Sequence, residues 1–138
     1  MTGSLYWLTL TALMTALFWV PYVLDRIAVR GLVRTMGNPQ DDDTPQHAWA
    51  RRAAWAHVNA IENLAVFGLL VLIANVVGKG NNEVIVMSAI VYFFARLAHY
   101  VVYTLGIPLL RTLTFATAWA ATIAVALALV GLIGGGSA

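Results

Sequence analysis

The chain has 138 residues and no cysteine. Disulfides, thiolate metal sites and a cysteine nucleophile are therefore excluded. Charge is scarce as well. Only 10% of residues are Asp, Glu, Lys or Arg, whereas soluble domains carry about a quarter. The net charge of +2 is too small to suggest a nucleic-acid partner. The three histidines show no metal-ligand spacing, and without cysteine or a second acidic cluster no metal is expected. There is no phosphate loop and no hydrolase elbow. The start, MTGSLYWLTL, lacks a basic region before its apolar run. That run is also long for a signal-peptide core, so it reads as a retained first span.

What is present is hydrophobicity, at 61% of the chain. A membrane-spanning helix needs about 20 mostly apolar residues. Residues 5–24 are free of charge, and Pro21 removes a backbone donor near their end and is expected to kink the helix. Residues 64–78 are uncharged but short, and reach spanning length only by running back past Glu62 and Asn59. Residues 84–105 are long enough but contain Arg96 and His99. Residues 112–138 carry no charge, and their helix is expected to end near the glycine run at 134–136. The expectation is one domain over 1–138, an all-α integral membrane bundle of four helices at about 5–28, 48–78, 83–105 and 107–133. The turn KGNN at 79–82 separates spans two and three, and Gly106 and Pro108 separate three and four. The long connection holds NPQDDDTPQ, whose triple aspartate reads as loop solubility. Arg26, Arg30, Arg34, Arg51, Arg52, Arg96 and Arg111 then fall near one membrane side, and Lys79 on the other. The positive-inside rule places the 1–2 and 3–4 connections in the cytoplasm and both termini outside.

Ionisable groups in a membrane cost about 3 kcal/mol each and persist where they face protein or a cavity. At about 100° per residue, Tyr92, Arg96, His99, Tyr100 and Tyr103 share a sector of roughly 100°. Arg52, Asn59 and Glu62 share one of roughly 80°, with His57 nearly opposite. Arg26, Arg30 and Arg34 are spaced four apart on one face, and Phe115 follows Arg111 on another. Glu62 and Arg96 could be an interhelical pair that fixes packing. His99 alone would be a satisfied bundle histidine, and the basic residues could set topology or touch anionic lipid. Together, however, four helices bring arginine to one membrane level. Guanidinium forks match carboxylates, so the implied ligand is a small polycarboxylate or a phosphate-like anion. Tyr6 and Trp7 suit one interface, Trp19 and Tyr22 the other, and Trp119 is expected to pack.

The segments AHVNAIENLAVF (56–67), FFARLAHYVVY (93–103) and GIPLLRTLTF (106–115), with VRGLVRTMGNP (29–39) as a weaker match, resemble the MAPEG superfamily. These are the membrane-associated proteins of eicosanoid and glutathione metabolism. The likeness covers nearly the whole chain and is to the prostaglandin-synthase and bacterial branches. It implies a homotrimer with glutathione as co-substrate between subunits, in a cavity open to the cytoplasm. By position it implies glutathione contacts from Arg30, Arg52, Asn59, Glu62, Arg96, His99 and Tyr103. Glu62 would receive the ligand's amino group or hold an arginine. Arg111 would stabilise the thiolate, Thr112 stands where some relatives have a serine, and Asp41 matches an acid proposed to act with that arginine. Relatives carry arginines where Trp55 and Val58 stand, and some have a tyrosine at the position of Phe115.

A thiol becomes a good nucleophile when deprotonated, and a nearby arginine lowers its pKa. The expected function is thus a glutathione-dependent transferase or peroxidase acting on lipophilic electrophiles or hydroperoxides that arrive through the bilayer. The alternative is a lipid-binding or scaffolding protein of the same fold, motivated by Trp55, Val58 and Phe115. A small transporter is a third reading, to which the uncharged fourth span lends little. Abundant Ala and Arg with a single Lys point to a bacterial inner membrane.

Overall fold

The computed structural model describes residues 1–134. The tail of the expected 1–138 domain and most of the glycine run at 134–136 lie outside the described residues. Six helices follow in order: α1 (Gly3–Leu17), α2 (Trp19–Arg30), α3 (Leu32–Met36), α4 (Ala48–Val76), α5 (Glu83–Leu105) and α6 (Pro108–Leu129). Four stretches are long and apolar enough to cross a membrane: Gly3–Arg30, Ala48–Val76, Glu83–Leu105 and Pro108–Leu129. The fourth helix stops at Leu129, short of the expected 133. Gly131 turns the chain there at φ 80, and Lys79 Nζ donates to the Ala128 and Leu129 carbonyls at 3.4 and 3.2 Å. A cation at a helix C-terminus is favourable.

The first span, Gly3–Arg30, is kinked at Phe18, whose backbone stays helical at φ −64, ψ −17. Pro21 follows in the first turn of α2 and lacks the N–H that would bond back to Leu17. Tyr100 of α5 fastens this joint: its hydroxyl donates to the Phe18 carbonyl at 2.9 Å, and the two rings stack at 3.9 Å. A break between α2 and α3 sits at Gly31. Its φ of 81° and ψ of 162° suit glycine.

α5 is the central helix. It packs against α1, α4 and α6, and its inner face is Ile85, Ser88, Ala89, Tyr92, Ala95, Arg96, His99 and Tyr100. Small residues let neighbours approach: Ala53, Ala56, Ala60 and Ala74 of α4 and Ala118, Ala121 and Ala128 of α6 are buried. Such residues are what membrane helices place at contacts, since burial from water does not drive them together. Phe67 and Tyr92 stack at 3.7 Å in the middle of the core. Many large apolar side chains, among them Leu69, Leu72, Phe94, Leu113 and Trp119, face outwards. Trp119, expected to pack, is 57% exposed on the single chain. Outward-facing apolar side chains suit a lipid-facing surface.

Candidate functional site

The bundle has a polar tie at each end. At the Lys79 end, Thr2, Ser4, Asn75 and Asn81 hydrogen-bond among α1, α4 and the 79–82 turn. The opposite end carries the arginines, and the candidate site is built there.

Asn59 on α4 and Arg96 on α5 form its centre. Arg96 is 2% exposed, and its Nη2 donates to Asn59 Oδ1 at 2.7 Å. Its Nε and Nη1 have no partner among the described residues. The ion pairs among the described residues involve Arg30, Arg34 and His47, so Arg96 has no carboxylate partner. A buried charge is normally paired. The packing alternative for Glu62 and Arg96 does not hold in the chain: Glu62 is exposed and makes no polar side-chain contact among the described residues. Glu62 lies on the side of the stripe that turns away from α5.

His99 lies one turn beyond Arg96 and is also 2% exposed. Its Nδ1 is 3.0 Å from the Arg111 carbonyl and 3.1 Å from Thr114 Oγ1. A carbonyl only accepts, so in the neutral ring Nδ1 carries the hydrogen and Nε2 is the acceptor. Nε2 is buried without a partner, as is the Tyr92 hydroxyl. Tyr103 packs edge-on to His99 at 5.6 Å, and the Arg111 guanidinium lies 4.9 Å over the Tyr103 ring. Phe115 approaches His99 at 6.0 Å, where a tyrosine would add a hydroxyl. Thr112 is exposed, and its hydroxyl donates to the Pro108 carbonyl at 3.2 Å.

The join after α5 explains why these groups meet. Gly106 takes the left-handed conformation at φ 77, ψ 35 and caps α5, and Pro108 opens α6. Arg111 is thereby folded back beside Tyr103. Arg52 of α4 crosses to the same corner, its Nε donating to the Thr104 carbonyl at 2.9 Å. Its guanidinium rests against Gly106, where a Cβ would come within 3.1 Å of Nε.

Arg30 lies apart from the Arg96 centre, on the strap formed by the long connection. Arg30 Nε donates to the Thr44 carbonyl at 2.7 Å, and Nη1 lies 3.4 Å from Asp43 Oδ2. Arg34 Nε donates to Asp43 Oδ1 at 2.6 Å, and its Nη2 to Asp42 at 3.0 Å. The Gln40 backbone N–H, then the Arg34 and Arg30 guanidiniums, hold the Asp43 carboxyl below the usual carboxylate range. The triple aspartate is therefore more than solubility. Asp41, the acid expected beside Arg111, is exposed with no side-chain partner among the described residues; the arginine-bound acids are Asp43 and Asp42.

Sequence reasoning missed Asp43 and also Asp25. Asp25 is buried on α2, where His47 Nδ1 at 2.5 Å, the His47 backbone N–H at 3.2 Å and Gln46 Nε2 at 3.3 Å converge on it. The available signal was an acid closing an apolar run one residue before Arg26. Thus the structure brings Asn59, Arg96, His99, Tyr103 and Arg111 into one connected cluster and sets Arg52 at its edge. It leaves Glu62 facing outwards and Arg30 and Asp41 on the strap side.

Comparisons with known proteins bear on the chain as a whole. A search of curated proteins gives no match. A family model, described as the MAPEG family, matches residues 4–131, nearly the whole chain. This multi-pass membrane protein belongs to the MAPEG family.

Proposed function

We propose that the protein is a glutathione-dependent transferase or peroxidase acting on lipophilic electrophiles or hydroperoxides at a subunit interface of a homotrimer. Arg96 carries this proposal. A guanidinium buried in a membrane bundle, bonded among the described residues only to a neutral amide, calls for an anion. Its unpartnered Nε and Nη1 carry three N–H donors on different edges of the guanidinium plane, each free to bind an acceptor. The unpartnered Tyr92 hydroxyl adds a further donor, and His99 Nε2 accepts. This donor-rich set fits a ligand with two carboxylates and an amine.

Glutathione, when bound, supplies a thiol whose thiolate attacks an electrophile or reduces a peroxide. The chain's part is to bind and charge-match it. Arg96, oriented by Asn59, and His99 hold one end. Arg111, held over Tyr103 and bearing no carboxylate partner among the described residues, is exposed and favours a nearby thiolate over the thiol. Thr112 can accept a hydrogen bond as it stands and must rotate from Pro108 to donate one. Arg52 fixes the α5–α6 corner. Glu62, outward on each chain, meets the ligand's amino group or a neighbouring subunit's arginine. Arg30 and Asp41 reach the ligand from the strap side. The membrane is a bacterial inner membrane, with the arginine end cytoplasmic.

Calorimetry with glutathione on detergent-solubilised protein, alongside ultraviolet absorbance for bound thiolate, tests this. Binding with a thiolate signal is expected, with binding lost in Arg96→Gln and thiolate lost in Arg111→Ala. Absence of binding at saturating glutathione would reject it. The outcome would then favour a lipid-binding protein of the same fold, for which exposed Trp55, Val58 and Phe115 speak.

A further inference from the structure

The arginines of α2 and α3 already hold an anion, and that anion belongs to the chain. Tyr22, Arg26 and Arg30 follow at four-residue spacing along α2, and Arg34 on α3, beyond the Gly31 break, meets the same strap through Asp43. Segment 38–47 runs back along these residues in the opposite direction. Gln46 donates to the Tyr22 carbonyl at 2.6 Å and accepts from Arg26 at 3.1 Å. Thr44 and Asp43 lie on Arg30. Asp43, Asp42 and Gln40 lie on Arg34.

Asp43 is the central tie. Its side chain is 8% exposed, although Asp41, Asp42 and Thr44 around it are exposed. Two guanidiniums share its one carboxylate. Beside them opens a groove of about 510 Å³ lined by Arg30, Gly31, Leu32, Val33, Arg34 and Gln40. Gln46 and His47 pin one end of the segment to Tyr22 and Asp25. At the other end, Gly37 bonds α3 only through its backbone, to the Val33 and Arg34 carbonyls.

We propose that segment 38–47 is a latch in which the Asp43 carboxylate occupies Arg30 and Arg34 until an external carboxylate ligand displaces it and enters the groove. This rests on the glutathione reading through Arg30. The exchange is chemically even: one carboxylate leaves the guanidinium forks as another arrives, and no net charge is buried. Tethering gives Asp43 a high effective concentration at the arginines, so the latch stays closed without ligand. The chain holds the segment at both ends, at Gly37 beside α3 and at His47 before α4, so release of Asp43 would bow it away from the arginines between these anchors.

The test uses the full chain in detergent and S-methylglutathione, which keeps both carboxylates but has no thiol, so binding is read apart from thiolate chemistry. Hydrogen–deuterium exchange follows the backbone of 38–47, and calorimetry gives Kd for wild type and Asp43→Asn. Saturating S-methylglutathione is expected to speed exchange in the segment. Asp43→Asn is expected to bind it about tenfold more tightly, if the arginines are free roughly one time in ten in the wild type. Wild-type binding with unchanged or slowed exchange overturns the latch and leaves the glutathione reading standing. So does an Asp43→Asn variant that binds no more tightly. No binding by the wild type overturns both. The wild-type exchange result decides the matter even if the variant fails to fold.

Discussion

Arg96 donates to Asn59, one helical turn from Glu62, and the neutral amide rather than the acid holds the buried guanidinium at 2.7 Å. Among the described residues no carboxylate balances that positive charge.

Replacing Asn59 tests that division of labour. Asn59→Asp would give Arg96 a carboxylate of its own, so thermal stability should rise while glutathione affinity falls at least tenfold. Asn59→Ala should cost about 2 kcal/mol, the scale of a hydrogen bond to a charged group. Melting curves and calorimetry on the two variants check both. A tighter-binding Asn59→Asp would contradict the proposed role of Arg96.

Glu62 should behave in the opposite way. It is exposed on the single chain and unbonded among the described residues, so Glu62→Gln should leave the melting behaviour within about 0.5 kcal/mol. If it meets glutathione or another subunit, affinity or trimer content should drop. Size-exclusion chromatography with light scattering separates the two.

Tyr100→Phe removes the hydroxyl that donates to Phe18 at the joint of the first span. The expected loss is about 1 kcal/mol, because the ring stack with Phe18 remains. A loss larger than about 3 kcal/mol in chemical denaturation would mean that the joint collapses without this bond.

The Asp43 anchor has a definite pH sign. Its folded pKa lies below the ordinary value of about 3.9. Its contribution to stability is therefore complete above about pH 4 and is lost as pH falls through the lower folded value. The Asp43 ties to Arg30 and Arg34 should not change between about pH 5 and 8. Carbon NMR titration of the Asp43 carboxyl checks this, and Arg34→Gln should move the transition upward. A wild-type transition at or above that of free aspartate would contradict the ion pairs.

Gly106→Ala should loosen the site's corner. The left-handed backbone costs a side chain about 1 kcal/mol, and the new Cβ would press on the Arg52 guanidinium. Arg52 should leave the Thr104 carbonyl. Loss of stability with exchange confined to the α5–α6 join is the expected pattern.

The sequence by itself determined the membrane class, the four long helices and the polar faces, because run length, charge scarcity and the 100° helical step are local properties. Arg96 and His99 were legible as inward-facing for the same reason. So was the misfit of His57, whose Nδ1 pairs instead with the Tyr22 hydroxyl at 2.9 Å. Partner choice was not legible. Asn59 and Glu62 lie on one stripe, and only the rotation of α4 against α5 decides which of them meets Arg96. Asp41, Asp42 and Asp43 are equivalent in composition, and only the path of the strap buries the third between two arginines. Asp25 and His47 are 22 residues apart. Their meeting required the strap to return along α2, a relation set by tertiary geometry that no local pattern encodes.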